Sequence, residues 1–369
     1  MKIKTATITF HAAHNYGSNL QAYALQQTIM KLGYDSEIIN LRTSRQKDLY
    51  TVFTKRRGVK YIFKNLSHLL YYFPLKRAYA KFEYFINNKL IVTKEYATED
   101  ELKKADLKYD IFISGSDQIW NPIPADFDWS YYLTFVQNGK KIAYAPSFGQ
   151  LASQGDDVTK RKIAESLKSF DAISVREQGA ALNVRQLVNV DPPIVLDPTL
   201  LLSKEQWLNL VKDEKRLVKG DYIFFYTLFA NPDRMNIVKR MSEALGLPVV
   251  TSNFSNQYDV FNSFIKRYDA GPLDFLTLIR DAKLVVVSSF HGTVFSTLLN
   301  VPFFAIDGMS DARISTLLKT AGLEDREITT ENVEEKCKDA YNVDFEGANK
   351  RIEAARKPSI EFLQKSLEV

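Results

Sequence analysis

The chain has 369 residues, of which 45% are apolar and 25% charged, with 49 Lys and Arg against 44 Asp and Glu for a formal net charge of +5. This composition excludes a disordered or low-complexity chain, and single cores rarely grow beyond ~250–300 residues, so two domains are expected. Cys337 is the only cysteine, which excludes an intrachain disulfide and a cysteine-based metal site. No run approaches ~18 uncharged apolar residues, and Met1–Phe10 is too short and polar for a signal segment, so a cytoplasmic protein is expected.

Lys4–Phe10 reads as a strand, Ser18–Leu32 as a helix closed by Gly33, and Ser36–Leu41 as the next strand. Charge then concentrates. Between Arg42 and Tyr84 there are eleven Lys or Arg and two acids, Asp48 and Glu83, a local balance of +9 that leaves −4 for the rest. Tyr61, Phe63, Leu66, Leu69, Leu70, Tyr71, Tyr72 and Phe73 are interleaved with these cations. Such a segment is either a basic helical insertion with its apolar side on the core, or a surface that rests on anionic lipid at the inner face of the membrane. No nucleic-acid-binding motif accompanies it, so no nucleic-acid partner is expected.

Asp110–Ser114, Lys141–Ser147 and Ala172–Val175 read as further strands, with a helix at Val158–Phe170. The Pro-containing stretch Asp191–Pro198 reads as an interdomain crossing. A second alternating set follows, with strands at Tyr222–Leu228, Leu247–Thr251, Leu284–Ser288 and Pro302–Ile306. Its helices are expected at Pro232–Leu245, Leu273–Asp281 and Thr293–Leu299, and an amphipathic helix at Phe345–Leu367 ends the pattern. Alternation of strand and helix predicts an α/β protein with mostly parallel sheets. The expected lobes span 1–200, with the basic helical insertion at about 42–90, and 215–335; the helix at 345–369 is expected to pack back across them. Two such lobes would leave a central ligand cleft at the carboxyl ends of their strands.

Four polar loops follow predicted strands. In His11-Ala-Ala-His-Asn-Tyr-Gly-Ser-Asn19, Gly17 allows a turn and Ser18 or Asn19 would cap the helix; the loop is either an anion site at a helix N-terminus or a simple capped turn. In Ser114-Gly-Ser-Asp-Gln-Ile-Trp-Asn121, Asp117 is either a general base or sugar ligand, or part of an Asx turn with Trp120 packed inside. In Ser174-Val-Arg-Glu177, Arg176 either grips a carboxylate or phosphate, or pairs with a neighbouring acid. In Val287-Ser-Ser-Phe-His-Gly-Thr293, His291 is one of four histidines and the best-placed acid–base candidate; no nucleophile-elbow pattern supports a serine hydrolase. No clustered His or Cys ligands or Asp-x-Asp motif indicates a metal.

Taken in order, NYGSNLQAYAL, GSDQIWN, SVRE and SSFHGTVFSTLLNVPFFAI make the chain resemble the polysaccharide pyruvyl transferase family, from about His11 to Leu323. The resemblance implies two Rossmann-like lobes of GT-B type. It implies transfer of a pyruvyl group from phosphoenolpyruvate to sugar hydroxyls of a cell-surface polysaccharide, such as an exopolysaccharide or cell-wall polymer, or of its lipid-linked oligosaccharide precursor. A pyruvate ketal would form and phosphate would leave, with phosphoenolpyruvate as co-substrate and no cofactor. By the same resemblance, Arg176 matches the arginine expected on the donor anion and His291 the histidine expected at the donor. Asn15, Gly17, Ser18 and Asn19 match the N-terminal loop; Ser116, Asp117 and Gln118 match the middle motif. Ser288, Ser289 and Gly292 surround the histidine, and Arg313 fills the place of a basic residue after the final strand. Two alternatives stay open: a GT-B glycosyltransferase using a nucleotide sugar, and a non-catalytic glycan-binding scaffold.

Overall fold

The computed structural model describes residues 2–53, 58–149, 156–254, 258 and 262–368, so Lys55, Arg56 and Arg57 of the basic segment lie outside it. The chain divides into two units. The first comprises Met1–Thr51, Glu83–Leu202 and Ala354–Val369; the second comprises Val52–Phe82 and Ser203–Glu353. The division falls inside the helices Tyr72–Lys89 and Phe345–Leu367, and it assigns part of the basic segment to each unit.

The first unit is built on β1 (Lys4–Ile8), β2 (Asp35–Leu41), β3 (Val92–Tyr96), β4 (Ile111–Ser114), β5 (Lys140–Ala143) and β6 (Ala172–Ile173). They form one parallel sheet in the order β3-β2-β1-β4-β5-β6. The second unit contains β7 (Ile223–Tyr226), β8 (Val249–Thr251), β9 (Ile265–Lys266), β10 (Leu284–Val287), β11 (Phe303–Ile306) and β12 (Glu327–Ile328). Its parallel sheet has the order β12-β11-β10-β7-β8-β9. Numbered within its own unit, each sheet has the strand order of dinucleotide-binding folds. The order therefore reverses between β1 and β4 in one unit and between β7 and β10 in the other, where such folds bind ligands.

The central strands are short apolar runs because both faces of each sheet are covered. Every residue of β4 (Ile-Phe-Ile-Ser), β7 (Ile-Phe-Phe-Tyr), β10 (Leu-Val-Val-Val) and β11 (Phe-Phe-Ala-Ile) is buried. Side chains alternate between faces. Phe112 joins a core with Ala6, Ile8 and Trp120, while Ile111 and Ile113 join Leu25, Ile29, Leu363 and Leu367 on the other side. In the second unit Ile223 and Phe225 pack with Val286 and Phe304, whereas Phe224 and Tyr226 meet Phe275, which in turn meets Phe295.

Several boundaries differ from the sequence reading. The first helix spans Tyr16–Lys31, so Asn15 rather than Ser18 or Asn19 caps it, and Gly17 lies in its first turn instead of forming a turn before it. The helix Phe290–Leu299 begins three residues earlier than expected, which places His291 inside it. Asp191–Pro198 is not an interdomain crossing: it lies within the first unit, with Ile194 bridged to Val175, and the chain passes to the second unit at Ser203. Among the described residues no helix is long and apolar enough to cross a membrane.

Candidate functional site

In the first unit the loops after β1 and β4 meet at the reversal point. The Asn15 side chain accepts the Gly17 and Ser18 amides at 2.9 and 3.3 Å, satisfying two donors of the helix N-terminus. Asn19 is fully buried and binds the carbonyls of His11 and Ala13 at 2.6 and 3.1 Å. These two bonds shape the loop. Ser18 Oγ instead reaches across to Asp117, donating to Oδ2 at 2.6 Å.

Asp117 has φ +80°, a conformation rare for a residue with a side chain, and its carbonyl is held by the Ser147 amide at 2.8 Å. Its Oδ1 accepts the adjacent Gln118 amide at 2.8 Å, a bond one residue on rather than the two of an Asx turn. Trp120 anchors the same loop from inside, stacked on Tyr132 at 5.3 Å and donating Nε1–H to Ser114 Oγ at 3.1 Å. The half-buried Gln118 accepts from Asn121 at 3.5 Å.

Next to Asp117, Ser116 Oγ lies 3.0 Å from the Ala145 carbonyl and 3.2 Å from Asp197, and its single proton is shared between these two acceptors. Arg176 pairs with the same Asp197 oxygen at 2.8 Å and lies 3.5 Å from Glu177, which accepts the Ser147 hydroxyl at 2.6 Å. The Arg176 and Asp197 side chains are 3% and 0% exposed. Two carboxylates thus balance the Arg176 charge in the interior. Arg176 positions the loops that carry Ser116 and Asp117.

A polar network borders Asp117. Asn40 Oδ1 lies 3.0 Å from His11 Nε2 and 3.1 Å from Arg42 Nε. Arg42 and His14 both engage Glu83, at 2.8 and 3.0 Å. Burial alone would raise the Glu83 carboxyl, but hydrogen bonds from His14 and Arg42 outweigh it and hold the pKa at about 2. His14 stacks on Tyr50, whose hydroxyl donates to Asp126 at 3.0 Å. Burial, and behind it the charge of Asp117, raises Asp126 against the pull of the Tyr50 hydrogen bond.

In the second unit Ser288 Oγ lies 2.7 Å from Thr227 Oγ1, joining the ends of β10 and β7 at the reversal point. Arg234 donates to Thr227 Oγ1 at 3.2 Å and to the Phe229 carbonyl at 2.8 Å. Its Nε is buried and has no hydrogen-bond partner among the described residues. Ser289 caps the Phe290–Leu299 helix by accepting the Gly292 amide at 3.0 Å. A Cβ at Gly292 would fall 2.8 Å from both Val287 Cγ1 and Ser289 Oγ, so the helix start packs this closely on β10 only with glycine there. Half-buried His291 sits in that first turn, edge-on to Phe290. Arg313, after β11, pairs with Asp311 through two bonds of 3.0 and 2.7 Å.

The structure thus brings Ser18, Ser116, Asp117 and Arg176 together in one unit, and Ser288, Ser289, His291 and Gly292 together in the other. Sequence reading missed Asp197, Thr227, Arg234 and the Glu83 network. One signal was available for Arg234: β7 opens the second sheet as β1 opens the first, so the helix after each starts at a reversal point. Among the described residues, no group of three or more His, Cys, Asp or Glu side chains could hold a metal ion.

Solved structures with the same fold include a putative UDP-N-acetylglucosamine 2-epimerase from Listeria monocytogenes, at 12% identity and TM-score 0.57 over 96% of this chain and 91% of that one. The UDP-GlcNAc 2-epimerase from Methanocaldococcus jannaschii, in complex with UDP-GlcNAc and UDP, aligns at 13% identity and TM-score 0.55, over 96% and 99%. That from Neisseria meningitidis, bound to UDP-GlcNAc, aligns at 11% and 0.52, over 99% and 100%. At such identities the likeness concerns fold: two Rossmann-like lobes of GT-B type. No curated protein matches the chain. The family model for polysaccharide pyruvyl transferase matches residues 15–308, spanning both reversal points and their loops. The chain belongs to the polysaccharide pyruvyl transferase family, which assigns it a pyruvyl-transfer role in polysaccharide biosynthesis.

Proposed function

We propose that the protein transfers the pyruvyl group of phosphoenolpyruvate to two hydroxyls of one sugar in a polysaccharide or its precursor, forming a cyclic ketal. The observation that carries this reading is in the second unit. There, His291 stands in the first turn of a helix beside the Ser288–Thr227–Arg234 chain, whose buried Arg234 Nε has no hydrogen-bond partner among the described residues. A guanidinium with a donor to spare and a helix N-terminus suit a substrate carrying both phosphate and carboxylate.

A proton adds to the methylene carbon, which becomes the ketal methyl group. One sugar hydroxyl bonds to C2 as the C2–O bond to phosphate breaks, and the second hydroxyl then closes the ring. Of the two hydroxyl protons, the balance places one on the methyl group and one with the departing phosphate. His291 is the general acid, and Asp117, held by Ser18, receives a hydroxyl proton or orients the acceptor. No cofactor or metal takes part, and a phosphoenolpyruvate donor sets the reaction in the cytoplasm.

The test is incubation with phosphoenolpyruvate and candidate glycans, followed by mass spectrometry. The expected product gains the mass of pyruvic acid less one water, with release of inorganic phosphate. Thermal stabilisation by a nucleotide sugar and not by phosphoenolpyruvate, with no such product, would overturn the reading in favour of a glycosyltransferase.

A further inference from the structure

The helix Val59–Leu70 and the start of the helix Tyr72–Lys89 carry an apolar stripe that faces outward. Ile62, Leu66, Leu69, Leu70 and Phe73 are 67%, 58%, 61%, 75% and 71% exposed. Ile62, Leu66 and Leu69 are spaced four and three residues apart, which places them on one face of the helix. The side chains that hold the segment to its own unit are more polar. His68 and Tyr71 meet Phe254 at 5.2 Å, and Tyr71 meets Tyr268 at 5.0 Å. Ile62, Leu66 and Leu69 thus turn outward, whereas an ordinary surface helix turns its aliphatic face to the core. Five large exposed apolar side chains within twelve residues form a patch that calls for an occupant.

Charge identifies the occupant. Between Gly58 and Phe82 the sequence holds five cations and no Asp or Glu. Lys76 and Arg77, one turn beyond Phe73, are exposed; Arg77 is only loosely engaged by Asp269 at 3.8 Å, and Lys81 is taken up by Asp274. An apolar stripe flanked by cations, in a segment with no Asp or Glu of its own, matches the interface of an anionic bilayer, where the aliphatic side chains enter the headgroup–acyl boundary and the cations meet lipid phosphates. We infer that residues 58–77 form a docking surface for anionic phospholipid membrane. The inference is independent of the reaction chemistry.

The test is co-sedimentation of the full chain with vesicles of phosphatidylcholine alone or mixed with phosphatidylglycerol. Pelleting is expected with the anionic vesicles and should weaken in high salt, which screens the cations. Leu66→Gln with Leu70→Gln should lower the partition coefficient about tenfold or more, and Lys76→Gln with Arg77→Gln should remove the preference for anionic lipid. All four side chains are exposed or lie at the rim, so unchanged thermal unfolding would show that the variants remain folded. Failure to pellet with either vesicle would overturn the inference, as would equal pelleting with both that ignores salt and substitution. Concentration-dependent dimerisation abolished by the Leu66→Gln/Leu70→Gln pair, without lipid binding, would instead assign the stripe to a second copy of the chain.

Discussion

Ser18 donates its hydroxyl to Asp117 across 2.6 Å, joining the first turn after β1 to the loop after β4. The contact fixes the orientation of a carboxylate whose backbone is already held at φ +80°. If Asp117 handles an acceptor hydroxyl, Asp117→Asn should lower kcat by about 10²–10⁴-fold, the range of general acid–base help. Ser18→Ala should cost less, because the carboxylate is retained and only its orientation loosens. Steady-state kinetics on both variants checks the ranking; a Ser18→Ala loss equal to that of Asp117→Asn would show that the serine does more than orient.

His291 and Arg234 should separate kinetically. His291→Gln removes a proton donor without opening the core, so kcat should fall about 10²–10⁴-fold with thermal unfolding unchanged. Arg234→Gln removes a cation beside the proposed donor, and should chiefly raise the KM for phosphoenolpyruvate, by roughly tenfold or more. An unchanged KM would place the donor anions elsewhere.

Arg176 and Asp197 form a buried pair, so removing one charge strands the other. Arg176→Met should destabilise by about 3–5 kcal/mol, and Arg176→Met with Asp197→Leu should cost less than the two single changes summed. Urea unfolding measures this. A raised KM for phosphoenolpyruvate with unaltered stability would return Arg176 to the role of direct anion ligand.

Acid should loosen the network beside Asp117 in two stages. Burial depresses His11 below its ordinary value of 6.5, despite the hydrogen bond with Asn40, so its contribution is present above that pH and declines as pH falls below it. Glu83 titrates at about 2 in the folded chain against 4.5 ordinarily, so its contribution is intact above pH 4.5 and is lost between there and about 2. The stability difference between the wild type and Glu83→Gln, followed by urea midpoints against pH, should be constant above pH 4.5 and shrink below it.

The central strands were legible because a strand covered on both faces is a continuous apolar run, as in Ile111–Ser114 and Leu284–Val287. The edge strand β3, Val-Thr-Lys-Glu-Tyr, was not: it is half-exposed and its polar residues obscure the pattern. At the site, the loops were legible because polar residues follow apolar strands. Their contacts were not. Ser18 has the composition of a cap, but its hydroxyl is committed to a residue 99 positions away, and Asn15 caps instead. Arg176 could have faced either a ligand or an acid, and its partner Asp197 lies 21 residues on, within the stretch the sequence suggested would leave the domain.

The layout of the first unit bears on the order in which the protein matures. Leu363 and Leu367 complete the apolar layer beneath Ile111, Ile113 and Ile142, yet they are translated after the whole of the second unit. On the ribosome, the first sheet must wait with one face incompletely covered while about 150 further residues emerge, a period in which bare apolar surface invites aggregation and chaperone capture. The second unit, whose residues have all emerged sooner, is the one able to settle first.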